Sequence, residues 1–336
     1  MSSAPSSRLA WIDVLRGLAV LGMIETHCVN AFLDSSFDGA PWLHQLSYFN
    51  GLVAPTFIWI AGYIQGRTVR RSMAQGRTVL SRKRLGRIGQ IALIGYLLHL
   101  PWPLWIAGDF SAESWRILLQ TDVLQCLAAS LLVLLLLGQY FRRGFDAALL
   151  VITLAVVALA PWMWQWHSGN MLVESWVNRG SGSLFPLFPW FAFAGAGALS
   201  SRWEPKLWTF GAFGLAFAIA GTALAPYPFH SEHPSFVLMR LGYLMVGVGV
   251  VHALAQRLSF GWLLLAGRES LLLYVSHLVI IYSLPITGKP LNQIIGHELS
   301  VPAVALVFVG LMSVCLLLAW VNEWRKSQSL TEASTA

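Results

Sequence analysis

Apolar residues in this chain come in runs of about 20, separated by short polar stretches, and each run is long enough to cross roughly 30 Å of hydrocarbon as a helix. About ten such runs can be marked, at 9–33, 46–66, 88–107, 119–138, 146–166, 184–200, 207–226, 236–256, 268–286 and 301–322, with edges uncertain by about two to four residues. The pattern predicts an all-α, polytopic integral membrane bundle, because helices satisfy their own backbone polar groups in lipid. No boundary divides the runs, and residues 1–336 are expected to form a single transmembrane domain. Met1 to Ser7 is short and polar, and the first run contains Asp13, Arg16, Glu25 and His27. It therefore does not read as a cleavable signal peptide.

Composition agrees: 56% of residues are hydrophobic and only 11% are charged, against about a quarter charged in soluble domains. The formal charge of +7 acts mainly on orientation, since Lys and Arg in short loops resist translocation. Between the second and third runs stand Arg67, Arg70, Arg71, Arg77, Arg82, Lys83, Arg84 and Arg87, with no acid among them, so this connection is expected to be cytoplasmic. Alternating the remaining loops puts both termini inside and predicts a multi-pass protein of the cell (inner) membrane. The basic stretch could also meet anionic lipid or a phosphate-bearing cytoplasmic ligand. Nucleic acid is not an expected partner, because base-stacking aromatics are not interleaved with the basic residues.

Other features read as structural. Cys28, Cys126 and Cys315 fall in different runs and suggest packing, not a disulfide framework. Tryptophans such as Trp102, Trp105, Trp162, Trp164, Trp166 and Trp203 cluster near run ends, as in an interfacial aromatic belt. Gly195-Ala-Gly197-Ala suits close helix packing within one chain or between copies, which leaves a homo-oligomer open. The absence of an internal repeat lowers the case for the common transporter folds.

Ionisable groups inside a span cost several kcal/mol unless they meet a partner or a wet cavity, which makes each a site candidate. Asp13 and Arg16, three apart, can form an ion pair on one helical face, or Arg16 can present its planar guanidinium to a phosphate. Glu25 and His27 lie further along the same run, followed by a loop that supplies His44. Two imidazoles converging at one outer-leaflet site would suit proton transfer. Asn50 could donate to a developing oxyanion or orient a histidine. Pro55 and Gly62 can open the second helix or let another backbone approach closely, or they mark a helix start with a kink. Arg240 and His277 lie inside later runs with no charged neighbour in sequence, and are candidates for substrate binding. His99 and His252 read as structural, and His167, His230, His233 and His297 as solvated loop residues. No metal-ligand spacing, Walker-type loop or serine elbow occurs, so no metal is expected and the chemistry should be acid–base or group transfer with a diffusible donor.

The stretch Arg8-Leu-Ala-Trp-Ile-Asp13-Val-Leu-Arg16-Gly17-Leu-Ala-Val-Leu-Gly-Met resembles the opening helix of the heparan-alpha-glucosaminide N-acetyltransferase catalytic-domain family, part of a wider transmembrane acyltransferase group. Trp42 to Gly62, Phe185-Pro-Leu-Phe-Pro-Trp190 and Gly267-Arg-Glu-Ser-Leu-Leu-Leu-Tyr-Val-Ser-His277 agree with it in order. The resemblance implies acetyl-CoA as a cytoplasmic acyl donor and an amine or hydroxyl, usually on a sugar, as outer acceptor. It also implies His44 as the catalytic histidine. His27, spaced from Arg16 by ten residues, is similar to the Arg and His pair of the related acyltransferase-3 group. A thioester acceptor reaction needs a base, an oxyanion donor and an aligned dry path. His44 or His27 would be base or transient acyl carrier, and Asp13 and Arg16 would steady the inner end or hold the donor phosphates. The alternative is a membrane carrier or exporter of a small polar solute, with His277, Arg240 and His27 as ligands.

Overall fold

The computed structural model describes residues 10–225, 230–284 and 289–335, with side chains described to residue 329. Met1 to Ser7, on which the signal-peptide reading rests, and Arg8 and Leu9 of the first motif, the latter the first residue of the first expected span, lie outside the described residues. So do the last residue of the seventh expected span and the last two of the ninth. The longer helices are α1 Ala10–Phe32, α2 Pro41–Asn50, α3 Val53–Ala74, α4 Arg82–Leu98, α5 Val123–Tyr140, α6 Phe145–Gln165, α7 Leu187–Ser200, α8 Leu207–Ala223, α9 Pro234–Leu254, α10 Gly261–Arg268, α11 Ser270–Leu278 and α12 Val301–Thr335. Short helices at Trp102–Ile106, Ala112–Leu119, Met171–Val177 and Leu291–Ile295 lie in the connections. By length and composition, four helical stretches among the described residues can cross a membrane: Val123–Tyr140, Arg142–Gln165, Pro234–Leu254 and Val301–Ser329. Gly261–Arg268 and Ser270–Ser283, which meet at 78°, make a fifth if the bent pair is one span.

Each expected run is helical over most of its length, but several edges moved for visible reasons. The second run is split by a turn at Gly51–Leu52, so Pro55 falls in the first turn of α3. There its missing N–H is not required by the helix. The basic stretch is mostly helix: Arg70 and Arg71 end α3, while Ser81 caps α4 by accepting from the Arg84 N–H. Arg82, Lys83, Arg84 and Arg87 therefore belong to α4.

The chain divides into two compact units, residues 1–53 with 250–336, and residues 54–249. The first is discontinuous in sequence, which is why no linker marks it. In this unit α1 lies against α10, α11 and α12. Two glycines let α1 and α10 touch through their backbones. A Cβ on Gly17 would strike the Leu263 carbonyl oxygen, and one on Gly267 would strike that of Asp13. The bend after Arg268 is held from α12. Glu269 accepts from Asn322 Nδ2 at 2.8 Å and Lys326 Nζ at 2.6 Å, and Arg268 Nη2 donates to Glu323 at 2.9 Å. On the far side Leu299 donates to the Phe32 carbonyl at 2.9 Å and accepts from the Asp34 N–H at 3.0 Å, which ties the end of α1 to the start of α12. The Ser36 N–H and hydroxyl hold the Asp34 carboxyl below its usual range in the exposed loop.

The second unit uses the same device. A Cβ on Gly62 would run into Ala194, and one on Gly197 into the Trp59 carbonyl, so α3 and α7 also meet backbone to backbone. Gly195 fits over Thr153 of α6. The Gly195-Ala-Gly197-Ala stretch thus packs within the chain. Val69, Leu134, Leu135, Phe145, Leu149 and Phe191 fill the core around it. At one end Arg70 donates to the Ala198 carbonyl at 2.8 Å, to the Ser201 hydroxyl and to Asp146 at 2.5 Å. Asp146 also receives Arg202 at 3.0 Å. Arg84 donates to Ser72 at 2.7 Å and to the Val79 carbonyl at 2.8 Å. Part of the basic stretch therefore cross-links helix ends, while Arg71, Arg77, Arg82 and Lys83 are exposed.

The backbone contacts predict a steep cost for adding volume. Gly267→Val should destabilise the protein by at least about 1–3 kcal/mol, the usual penalty of overpacking a tight interface. Thermal unfolding in detergent checks this, with Gly310→Val, whose Cβ would meet open space, as the control expected to melt like the parent.

Candidate functional site

The first unit gathers polar groups where α1 and α11 approach one another. Glu25 and His27 sit on α1 about three turns from Asp13, so both ends of one helix carry ionisable side chains. Asn50, the last residue of α2, donates Nδ2 to Glu25 Oε2 at 2.7 Å. Its expected role as a free oxyanion donor is therefore qualified, since one amide hydrogen is committed to a carboxyl. His27 Nδ1 lies 3.3 Å from the Tyr282 hydroxyl. The His277 ring packs against it with centroids 5.1 Å apart.

Local structure explains how α11 delivers these groups. Its helix begins afresh after the bend, runs to Leu278, and widens into a π turn over Val279–Ser283. Such turns are rare and often sit at functional sites because they re-aim side chains. Here the turn carries Tyr282 towards His27, the two rings meeting edge to face at 5.7 Å. His277 is fully buried, and its Nδ1 faces the Leu273 carbonyl at 2.7 Å. A carbonyl accepts only, so Nδ1 carries the hydrogen and Nε2 is the lone-pair nitrogen. That Nε2 has no hydrogen-bond partner among the described residues.

The remaining expected residues are placed as follows. Asp13 is buried and lies 3.5 Å from the Arg16 guanidinium, which gives the intrahelical ion pair. His44 is exposed on α2 and has no partner among the described residues. The less exposed positions of α2 are Leu43, Leu46, Tyr48 and Asn50, with Tyr48 one turn after His44. The imidazole that packs on His27 is that of His277. Arg240 is buried in α9, its guanidinium 5.8 Å from the Phe236 ring centre, within the second unit. His252 packs edge-on against Trp11, and His99 bonds the Gly95 carbonyl at 2.9 Å, both as structural residues. Tyr282 was not singled out by the sequence, because a tyrosine near a span end ordinarily signals an interface and nothing in a regular helical period announces a π turn.

A carboxyl, two imidazoles, a phenol and an amide set together within a helical membrane unit can move protons and donate to developing negative charge. Those are the capacities of a group-transfer enzyme of the membrane. The family described as Acyltransferase domain, acyltransferase-3, matches residues 9–320, which is nearly the whole chain. The protein is a membrane acyltransferase, and the chain belongs to the acyltransferase-3 family. No curated protein sequence matches it.

Because Asn50 is the donor to Glu25, removing it leaves a half-buried carboxyl without that bond. Asn50→Leu should destabilise the protein by about 1–3 kcal/mol, the cost of an unsatisfied buried polar group. Denaturation midpoints of Asn50→Leu, Glu25→Leu and the double variant check this. The double variant should recover part of the loss, as it removes both partners.

Proposed function

We propose that this protein spans the membrane about ten times, with both termini cytoplasmic. It moves an acyl group, acetyl in the first instance, from a cytoplasmic CoA thioester to an amine or hydroxyl of a sugar-type acceptor on the outer side. The sugar acceptor follows the resemblance to the glucosaminide N-acetyltransferase family. The observation that carries the reading is the placement of His27, on the motif-bearing helix, beside Tyr282 and His277 and two residues from the Glu25–Asn50 pair.

The reaction is direct transfer. His27 takes the proton from the acceptor O–H or N–H as that atom attacks the thioester carbonyl. The new bond to the carbonyl carbon forms, the carbon–sulfur bond breaks, and the proton passes to the leaving thiolate to give CoA. The Tyr282 hydroxyl is placed to donate to the tetrahedral oxyanion, the charge whose stabilisation usually contributes most. Arg16 lies eleven positions before His27, so about 16 Å separates them along the helix axis. An extended pantetheine arm spans such a distance, which supports donor phosphates at Arg16 and thioester at His27. Arg16's fork suits phosphate, and Asp13 holds that side chain in place. We assign the base to His27 and not to His44 because His44 is exposed on α2 and has no group to orient it among the described residues.

Purified protein incubated with labelled acetyl-CoA and glucosamine should transfer label. His27→Ala should lower the rate by about 10²–10⁴-fold, the usual contribution of a general base, whereas His44→Ala should stay within a few-fold of the parent. Full transfer by His27→Ala would remove His27 from the chemistry, and solute uptake into vesicles without thioester turnover would favour a carrier. A second measurement addresses the donor. CoA should raise the melting temperature of the parent, as a ligand of the native state does, and the rise should be largely lost in Arg16→Ala.

A further inference from the structure

Among the described residues of the first unit, His277 Nε2 and Asn292 Oδ1 are buried acceptors without a hydrogen-bond partner. His277 is fully buried, and its tautomer is fixed by the Leu273 carbonyl. Leaving a buried acceptor unsatisfied is unfavourable, and native structures keep such groups mainly where they have work to do. The missing partner must be a hydrogen-bond donor. The nearest ring is that of His27, with centroids 5.1 Å apart and planes tilted by 51°. The two rings are thus packed neighbours.

We propose that His277 is a positioning residue whose Nε2 lone pair accepts a hydrogen bond from His27 once His27 has taken up a proton, so that a neutral imidazole steadies the imidazolium. The inference rests on His27 being the base. It adds the group that makes His27 basic enough for the task inside an apolar bundle. Burial disfavours a charged imidazole, and a neutral acceptor offsets that without introducing a second charge. A carboxylate in the same place would hold the proton more tightly and release it less readily to the leaving thiolate. The fixed tautomer matters, because the other one would turn an N–H towards the His27 proton and repel it. The bend at Glu269 and the packing of α11 against α1 set the approach of the two rings.

Among the described residues, the other ionisable groups around the pair are Glu25 and Cys28 on α1, Tyr274 on α11, Tyr282 on the π turn and Cys315 on α12. Arg268 of α10 is turned to Glu323. Cys28 and Cys315 are buried, and Tyr274 packs edge-on against His277 with ring centres 5.8 Å apart. Of these, the Tyr282 hydroxyl faces His27 Nδ1, which leaves His277 as the second ring beside His27.

The test follows the protonation of His27 directly and does not depend on the acceptor. Diethyl pyrocarbonate modifies neutral imidazole, so its rate at the His27 peptide, read by mass spectrometry across pH, gives the His27 midpoint in the full-length protein. The parent should show the higher midpoint. His277→Phe, which keeps an aromatic ring but has no lone pair, should lower it by about one pH unit and reduce acetyl transfer roughly tenfold, since one unit is a tenfold change in protonation equilibrium. His277→Gln, which offers an amide oxygen, should hold the midpoint close to the parent, and a merely structural histidine would show no such rescue. An unchanged midpoint in His277→Phe, with His27→Ala still inactive, overturns the pairing and leaves His27 as base. Full transfer by His27→Ala overturns both.

Discussion

Everything in the first unit depends on the direct backbone contact between α1 and α10. Gly17 under Leu263 and Gly267 under Asp13 bring the two helices closer than any side chain would allow. In lipid there is no hydrophobic drive between helices, so association relies on this kind of close packing and on polar contacts. With α10 held against the start of α1, the chain bends at Glu269, and the bend directs α11 alongside the later part of α1. One small-residue contact therefore fixes which side chains of α1 can meet those of α11. Glu25, His27, His277 and Tyr282 are the result.

That geometry also shows how the unit tolerates polar residues that would otherwise be costly. Each is matched locally. Asp13 has Arg16 three residues away, Glu25 has Asn50, His27 has Tyr282, and the bend has Glu269 bound by Asn322 and Lys326. The second unit treats Arg70 likewise, giving it Asp146, a carbonyl and a hydroxyl. Against these pairs, the lone pair on His277 has no partner among the described residues, and neither has the Asn292 amide oxygen. A fold that satisfies a half-buried carboxyl with an amide from a separate helix has the means to satisfy an imidazole too.

The sequence made the helices legible because run length in an apolar chain has few other readings. It also marked Asp13, Arg16, Glu25, His27, Arg240 and His277, since an ionisable group in such a run always requires a partner. Three things it could not show. The bend is hidden because the expected runs stop at 256 and resume at 268, so that Gly261–Arg268 is not read as a helix of its own, and the α12 contacts to Glu269 hold the break. Tyr282 depends on a π turn, which departs from the 3.6-residue period on which helical reading relies. His44 is expected beside His27 because its loop follows the first run, whereas the ring that packs on His27 is that of His277, distant in sequence.

The separation of charge along α1 fits the demands of thioester chemistry across a membrane. Donor phosphates carry full negative charge and need a guanidinium, which must remain near water to be tolerated. The thioester carbonyl is neutral and becomes charged only in the transition state, so its surroundings can be apolar provided that uncharged donors and acceptors are aimed in advance. Arg16 lies one turn after Asp13 at one end, and His27, Tyr282 and Asn50 cluster towards the other. On the proposed reading a single rigid helix measures the donor, holding its charged part and its reacting carbonyl at a fixed distance. Two neutral imidazoles then suit the reacting end better than an ion pair would, because a proton has to arrive and leave within one turnover and a strongly paired charge would keep it.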